Sequence, residues 1–427
     1  MAFVFGSGAS RRAVVFTAGI LISALAVVLW MASSAKATEL LYWDNFEENT
    51  IAVANIDGTG GGALNLTGVE LLNPEGMALD TATGRLYVAS SGEAEKGKPG
   101  QILYVNLDGS GAGVLNTAGA PLEEPYGVAI DPVTRTIFWT NTGKAGDAIG
   151  WAHLDGSGGG ALNTSGVTVS KPYKIAVDSA NRKVYWGNTE GTSIGFANID
   201  NSGGGGTVDT TGTTPPASIY AVAVDEAVGR VYWLDSSSGG KEHVAFVNAA
   251  GGGGGELSLI GSAFKQAYGL AIDPTVGRAY WANYGNEAEK AGAFGFANLD
   301  NSGGGSISIA TAPLKGPQDP VIIKSPTSTT RPKLRRRTSR SKPGKTTLRC
   351  STGGWAADYP GSFVYQSPRS YAYKWKRNGK KIGGTKATRK AKTPGKYTCI
   401  VTATNSVGSA TRASKPVKVK KPRKKRH

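Results

Sequence analysis

Short apolar runs and polar, glycine-rich breaks alternate from residue 40 to residue 324, and the runs come in sets of four. The set that begins at Pro125 reads YGVAID, TIFWTN, AIGWAHL and GALNTSG. Each run is rich in alternating β formers and predicts a strand. Turn chemistry joins the third run to the fourth. LDGSG at 107–111 and 154–158, and IDGTG at 56–60, place Asp-Gly there, a favoured two-residue hairpin turn. NIDNSGGG (198–205) and NLDNSGGG (298–305) do the same with Asp-Asn.

The sets repeat. AIDPTVGRAYWAN (271–283) has relatives in ALDTATGRLYVAS (78–90), AIDPVTRTIFWTN (129–141), AVDSANRKVYWGN (176–188) and AVDEAVGRVYWLD (223–235). Asp80, Asp131, Asp178, Asp225 and Asp273 recur at intervals of 51, 47, 47 and 48 residues. A further copy is split: LLYWDN (40–45) carries its aromatic half and PQDPVII (317–323) its leading half. Four antiparallel strands about every 45 residues is the pattern of a propeller blade. The count predicts an all-β chain with a six-bladed β-propeller, closed when a C-terminal strand completes the blade begun at the N-terminus. Closure of this kind removes an open sheet edge.

The signature positions read YWD (42–44), FWTN (138–141), YWGN (185–188), YWLD (232–235) and YWAN (280–283), with LYVAS (86–90) degraded. This resembles the YWTD repeat of low-density-lipoprotein-receptor class B propellers over roughly residues 40–324. The resemblance implies the fold and a binding habit. It carries over no particular ligand, because the cysteine-rich modules that flank such propellers are absent and the final Asp is kept only at Asp44 and Asp235.

An Asp, a basic residue (Arg85, Arg135, Arg182, Arg230, Arg278) and a Trp in every copy look like chemistry. Catalysis needs one constellation rather than a repeated one, so the reading is structural: Asp and Arg flank a hairpin turn while Trp and Tyr pack between blades. The functional question moves five residues upstream of each Asp, to Glu75, Tyr126, Tyr173, Tyr220 and Tyr268, with Gln318 in the split copy. Innermost strands line the channel, so these residues are the candidate ligand site at one mouth, suited to a sugar ring or a peptide; the alternative is packing between blades. Loops after the second strands are expected to bring Asn45, Glu47, Asn141, Asn188, Asp235 and Asn283 to the same mouth.

Charge divides the chain in two. Residues 1–324 hold 19 Lys and Arg against 30 Asp and Glu, whereas residues 325–427 hold 29 against the single acid Asp358. The N-terminus reads as an export signal over 1–37: Arg11 and Arg12, the apolar run 13–31, then Ala35-Lys36-Ala37 as a cleavage site. The run is also long enough for an uncleaved N-terminal membrane anchor. A secreted or cell-envelope location follows, in which a disulfide persists. The three histidines, His153, His243 and His427, show no metal-ligand spacing, and no nucleophile elbow or phosphate loop is present. No catalytic residue, metal or cofactor is expected, calcium being the one ion left open. An extracellular lactonase- or lyase-type propeller with a metal in its channel is the alternative.

Residues 325–345 are Pro, Ser, Thr and basic, which predicts a self-repelling linker. Apolar alternation returns over 346–419, followed by a basic tail at 420–427. Cys350, Trp375, Tyr397 and Cys399 follow the pattern of bacterial-type immunoglobulin-like domains. That resemblance implies a small β-sandwich with a Cys350–Cys399 disulfide. Arg335, Arg336, Arg337, Lys380, Lys381, Lys390, Lys424, Lys425 and Arg426 are the candidate polyanion-binding residues. Behind an export signal the expected partners are anionic envelope polymers or a membrane surface, with no nucleic acid expected. The reading is an exported, non-catalytic binding or adhesion protein whose 38–324 propeller recognises a protein or glycan.

Overall fold

The innermost strand of each repeat is buried along nearly its whole length, and successive innermost strands pack side by side. The computed structural model describes residues 39–236, 242–284, 293–338 and 346–420. The expected export segment 1–37 and the tail cations Lys424, Lys425 and Arg426 lie outside them. Among the described residues there is no α-helix, only two single 3-10 turns. Five antiparallel four-stranded sheets follow one another, each with its strands in chain order. A further sheet joins both ends of the repeat region: Val321–Lys324 pairs with Glu39–Asn45, which continues into Thr50–Asn55 and Gly62–Ala63.

Local chemistry explains the repeat. Trp43, Trp139, Trp186, Trp233 and Trp281 are fully buried. The indoles of Trp43, Trp139, Trp186 and Trp281 donate to a carbonyl of the loop before their own innermost strand, as Trp139 does to Pro121 O at 2.9 Å. The third strand makes room for the ring. A Cβ at Gly195 would lie 2.4 Å from the Trp186 ring, and one at Gly295 2.2 Å from that of Trp281, so only glycine fits. The motif aspartates accept backbone N–H bonds inside their own hairpin turn, from Ala82 to Asp80 and from Thr275 to Asp273. In the Asp-Asn turns Asn201 and Asn301 take φ of 63° and 62°, the left-handed position that Gly109 holds in LDGSG.

The basic residues of the motif, taken as one series from the sequence, are two. Arg135 and Arg182 sit at the left-handed turn position, φ 58° in each, where the other copies have glycine. They reach back to the preceding sheet, Arg135 to Asp80 and Arg182 to Asp131 at 3.0 Å. Arg85, Arg230 and Arg278 come one residue later and stack over Tyr104, Phe246 and Phe296 at 4.1, 4.5 and 4.3 Å. In the split sheet Lys324 does the clamping, its ammonium 2.5 Å from Asp273.

Besides a two-stranded pairing of Ser328–Thr330 with Gly354–Trp355, the C-terminal residues form two larger sheets. One holds Leu334–Thr338, Thr346–Cys350 and Thr388–Ala391; the other holds Lys380–Ile382, Ser370–Arg377, Gly395–Thr404, Ser409–Ala413 and Val417–Val419. The Cys350–Cys399 disulfide ties them together across a core that includes Trp375 and Tyr397. Tyr397 Oη donates to Thr393 O at 2.7 Å. The stretch expected as linker, 325–345, is more than that. It contains strand Ser328–Thr330, which pairs with Gly354–Trp355, and strand Leu334–Thr338, because Leu334 packs on this core and its neighbours pair with Thr346–Cys350.

This module and the repeats belong to one compact unit. A strap, residues 359–366, passes from the module into the channel end where the innermost strands finish. Pro360–Ser362 lies against those strands, with Ser362 Oγ donating to Val224 O at 2.6 Å. Val364–Tyr365 then pairs parallel with Val321–Lys324 as an extra strand, and Leu79 N donates to Tyr365 Oη at 3.3 Å. Asp358, the lone acid of the basic end, accepts from Gln366 N and Ser367 N at the strap's base. That end of the channel is filled by the chain itself.

Candidate functional site

The opposite mouth is built by one repeated irregularity. In all five chain-ordered sheets the ladder between the first two strands slips near the first residues of the innermost strand, as between Tyr268 and Ala271. A slip of this kind re-aims a side chain. Here it gathers the tyrosines. Tyr173 packs against Tyr126, Tyr220 and Tyr268 with ring centroids 5.1, 5.3 and 5.8 Å apart, and Tyr220 meets Tyr268 at 5.1 Å. Tyr173 Oη donates to Glu75 Oε2 at 2.8 Å, and Gln318 Oε1 lies 3.4 Å from the same hydroxyl. The structure thus brings all six predicted mouth residues together. They pack on one another across the axis, rather than between blades, and form a half-buried aromatic roof over the channel. Tyr284 and Phe46 extend the aromatic surface outward.

Beneath the roof lies a charge cluster that sequence reasoning missed. One residue after each mouth position the chain has Gly76, Gly127, Lys174, Ala221, Gly269 and Asp319. The strands crowd so closely that a Cβ on Gly269 would sit 2.3 Å from Asp319 Oδ1, and one on Gly127 2.7 Å from Lys174 Cα. Only Lys174 and Asp319 carry long side chains into this layer. Their charged atoms are 3.5 Å apart, and the ammonium lies 4.8 Å from the centre of the Tyr173 ring. Asp44 joins them, accepting from Asp319 N at 2.8 Å, while its Oδ2 is buried without a hydrogen-bond partner. The two exceptions in a column of tiny residues are the signal that would have found the cluster.

Electrostatics follow from burial. Desolvation pushes the Glu75 carboxyl up to about 8, against the pull of Lys174 and the Tyr173 hydroxyl. Desolvation and the neighbouring Asp319 raise Asp44 to about 7, and burial raises Asp319 as well. Burial also lifts Tyr173 well above the ordinary phenol range. Burial thus favours the protonated form of these carboxyls, Glu75 most of all. Among the described residues no group of three or more His, Cys, Asp or Glu is arranged to hold a metal ion.

The residues closing the signature do not line the mouth as expected. Asn45, Asn141, Asn188, Asp235 and Asn283 are buried. Each accepts a backbone N–H from the loop before an innermost strand, as Asn141 Oδ1 does from Glu123 N at 2.7 Å and Asp235 Oδ2 from Ala217 N at 2.5 Å. Asn and Asp share an acceptor oxygen, which explains their interchange. The cations Arg335, Arg336, Arg337, Lys380, Lys381 and Lys390 are exposed on the C-terminal module, far in sequence from the mouth.

No family model matches the chain. A stretch of 105 residues, 25% of the chain, is 30% identical to low-density lipoprotein receptor-related protein 5 of Mus musculus, and it spans 6% of that protein. A chain in the nidogen/laminin complex superposes with a TM-score of 0.51 at 17% identity, covering 66% of this chain and 98% of that one. This protein folds as a β-propeller. Its likeness is to propellers of the low-density-lipoprotein-receptor class B type. TolB from Acinetobacter baumannii is more distant, with a TM-score of 0.48 at 12% identity over 69% of this chain and 70% of that one.

Proposed function

We propose that the protein is an exported, non-catalytic binding protein: a six-bladed propeller whose tyrosine mouth takes a protein or glycan ligand, fused to an immunoglobulin-like module that attaches to anionic envelope polymers. The observation that carries this reading is the convergence of Tyr126, Tyr173, Tyr220 and Tyr268, with Glu75 and Gln318, on the one channel mouth that the strap leaves free. Packed tyrosines offer a rigid apolar surface with polar tips, the kind of surface that dominates binding energy at interfaces. The nidogen propeller occurs in a complex with laminin, which favours a protein ligand. Catalysis in the channel is disfavoured by access. Glu75, Asp44, Asp319 and Lys174 are each less than a tenth exposed, roofed by tyrosines above and closed by the strap below.

Peptide and glycan arrays probed with the full chain and with Tyr220→Ala/Tyr268→Ala test the reading. Both side chains are half-buried at the rim, so the variant is expected to stay folded and to lose ligand by tenfold or more, about 1.4 kcal/mol. Equal binding by both proteins would reject the mouth as the site.

A further inference from the structure

Cations on the C-terminal module stand directly against one another. Strand register places Arg335 opposite Arg349, Lys376 opposite Lys381, Arg377 opposite Lys380 and Lys396 opposite Lys418. Like charges in opposed positions destabilise a strand pair. A face meant only for solubility intersperses both signs. Here the sole acid, Asp358, is committed to the strap. No Lys or Arg between 325 and 420 forms an ion pair among the described residues. Among the described residues, then, no acid of the chain supplies the counter-charge.

Register also shows where it would sit. Arg335, Arg337, Arg349 and Lys390 are all exposed and share the outer face of the sheet Leu334–Thr338, Thr346–Cys350, Thr388–Ala391. Arg336 points the other way, in register with buried Leu348, and donates to Lys418 O at 3.2 Å. Neighbours on such a face are about 5 Å apart across strands and about 7 Å apart along them.

We propose that this face is a binding site for an extended, linear oxyanion polymer, gripped by Arg335, Arg337, Arg349 and Lys390. Three of the four are arginines, whose planar forks take two oxygens of a phosphate or carboxylate at once. The four cations lie in two adjacent cross-strand rows of one sheet face, Arg335 with Arg349 and Arg337 with Lys390, which suits a single flexible strand lying along it. A bilayer is disfavoured because Tyr371, on the other sheet, is the one exposed large apolar side chain among the described residues of the module. The inference rests on the proposed attachment to anionic polymers and narrows it to one face and one chemistry.

The test uses the full chain, with inorganic polyphosphate and polygalacturonate as probes, and Arg349→Glu as the variant. The carboxylate introduced there would face Arg335 and turn a repulsive pair into an attractive one. The variant should therefore melt a few degrees higher without polymer, yet bind the preferred polymer about tenfold more weakly, with a salt slope shallower by about 1–2. The tighter polymer identifies the oxyanion. Unchanged affinity in Arg349→Glu, with binding lost instead on deleting residues 421–427, overturns this face but leaves polymer attachment standing. Absence of binding to either polymer at low salt overturns both. Capture by anionic lipid vesicles that neither polymer competes away also overturns the proposal.

Discussion

The two ends of the channel are closed by opposite means. At one end the strap of the C-terminal module closes it with backbone: a parallel strand on Val321–Lys324, a hydroxyl bond to Val224 O and a glycine against Val177 O. At the other end side chains close it, four tyrosines resting on one another with a single hydroxyl bonded to a buried carboxyl. Backbone pairing in register has one good arrangement. Stacked rings can be displaced by another flat or apolar group at little cost beyond the contacts exchanged. One end is therefore structural and the other is available, and exposure agrees: strap residues 360–366 are buried, whereas the four tyrosines are half-buried.

The sharpest way to break this contrast is at Gly361. A Cβ there would lie 2.2 Å from Val177 O and 3.2 Å from Val224 Cβ. Gly361→Val cannot be accommodated without withdrawing the strap, at a cost of about 3 kcal/mol or more. Thermal unfolding should show a fall of several degrees, and proteolysis should newly cut between residues 359 and 366. A variant that melts like the wild type and stays uncut would mean the strap is not seated in the channel.

Legibility followed repetition. Whatever recurs in each copy, the strand pattern, the Trp, the turn Asp and the mouth tyrosines, could be read by laying the copies side by side. Even the split sheet was visible, because LLYWDN and PQDPVII each carry one half of the repeat, and Tyr42 pairs with Val321 as Tyr280 does with Ala271 on one continuous hairpin. What occurs once could not be read that way. Nothing local in DYPGSFVYQ marks it as a channel insert, since its partners lie 138 residues away at Val224 and 286 away at Leu79. The Arg335–Arg337 run looked like a repelling linker because pairing with Thr346–Cys350 and the packing of Leu334 outweigh its charge. Lys174 and Asp319 were legible in principle, as lone departures from a column of Gly and Ala.

Beneath the tyrosines, pH is the probe of the mouth end, where Glu75, Asp44 and Asp319 are buried together. Glu75 has an ordinary value of 4.5 and is raised to about 8. Below about 4.5 it is protonated in folded and unfolded chains alike and favours neither. Between about 4.5 and 8 the unfolded chain releases the proton while the folded chain holds it, so stability falls as pH rises and levels off above 8. Asp44 acts in the same direction. Glu75→Gln cannot ionise, and it should be the more stable protein at pH 8 by on the order of 2–4 kcal/mol, with little difference at pH 4. Chemical denaturation at both pH values checks the sign. A variant equally or less stable than the wild type at pH 8 would place Glu75 in contact with water.

The smallest effect is expected at Tyr173 itself. Tyr173→Phe keeps the ring and its three aromatic neighbours and removes only what the hydroxyl makes, the bond to Glu75 Oε2 and the longer one to Gln318 Oε1. Its cost should be about 1 kcal/mol, an ordinary hydrogen bond's net contribution. The direction of a second change is more telling. The Tyr173 hydroxyl favours the charged form of Glu75, so its loss should move the carboxyl further up. The fall in stability with rising pH should then extend to higher pH than in the wild type, whereas a ring that only fills space would leave the curve where it is. Because the aromatic surface is intact, ligand capture by Tyr173→Phe should change less than by Tyr220→Ala/Tyr268→Ala. If the hydroxyl variant lost more binding than the ring variant, the mouth would be recognising its ligand through the Tyr173–Glu75 pair and not through the aromatic roof.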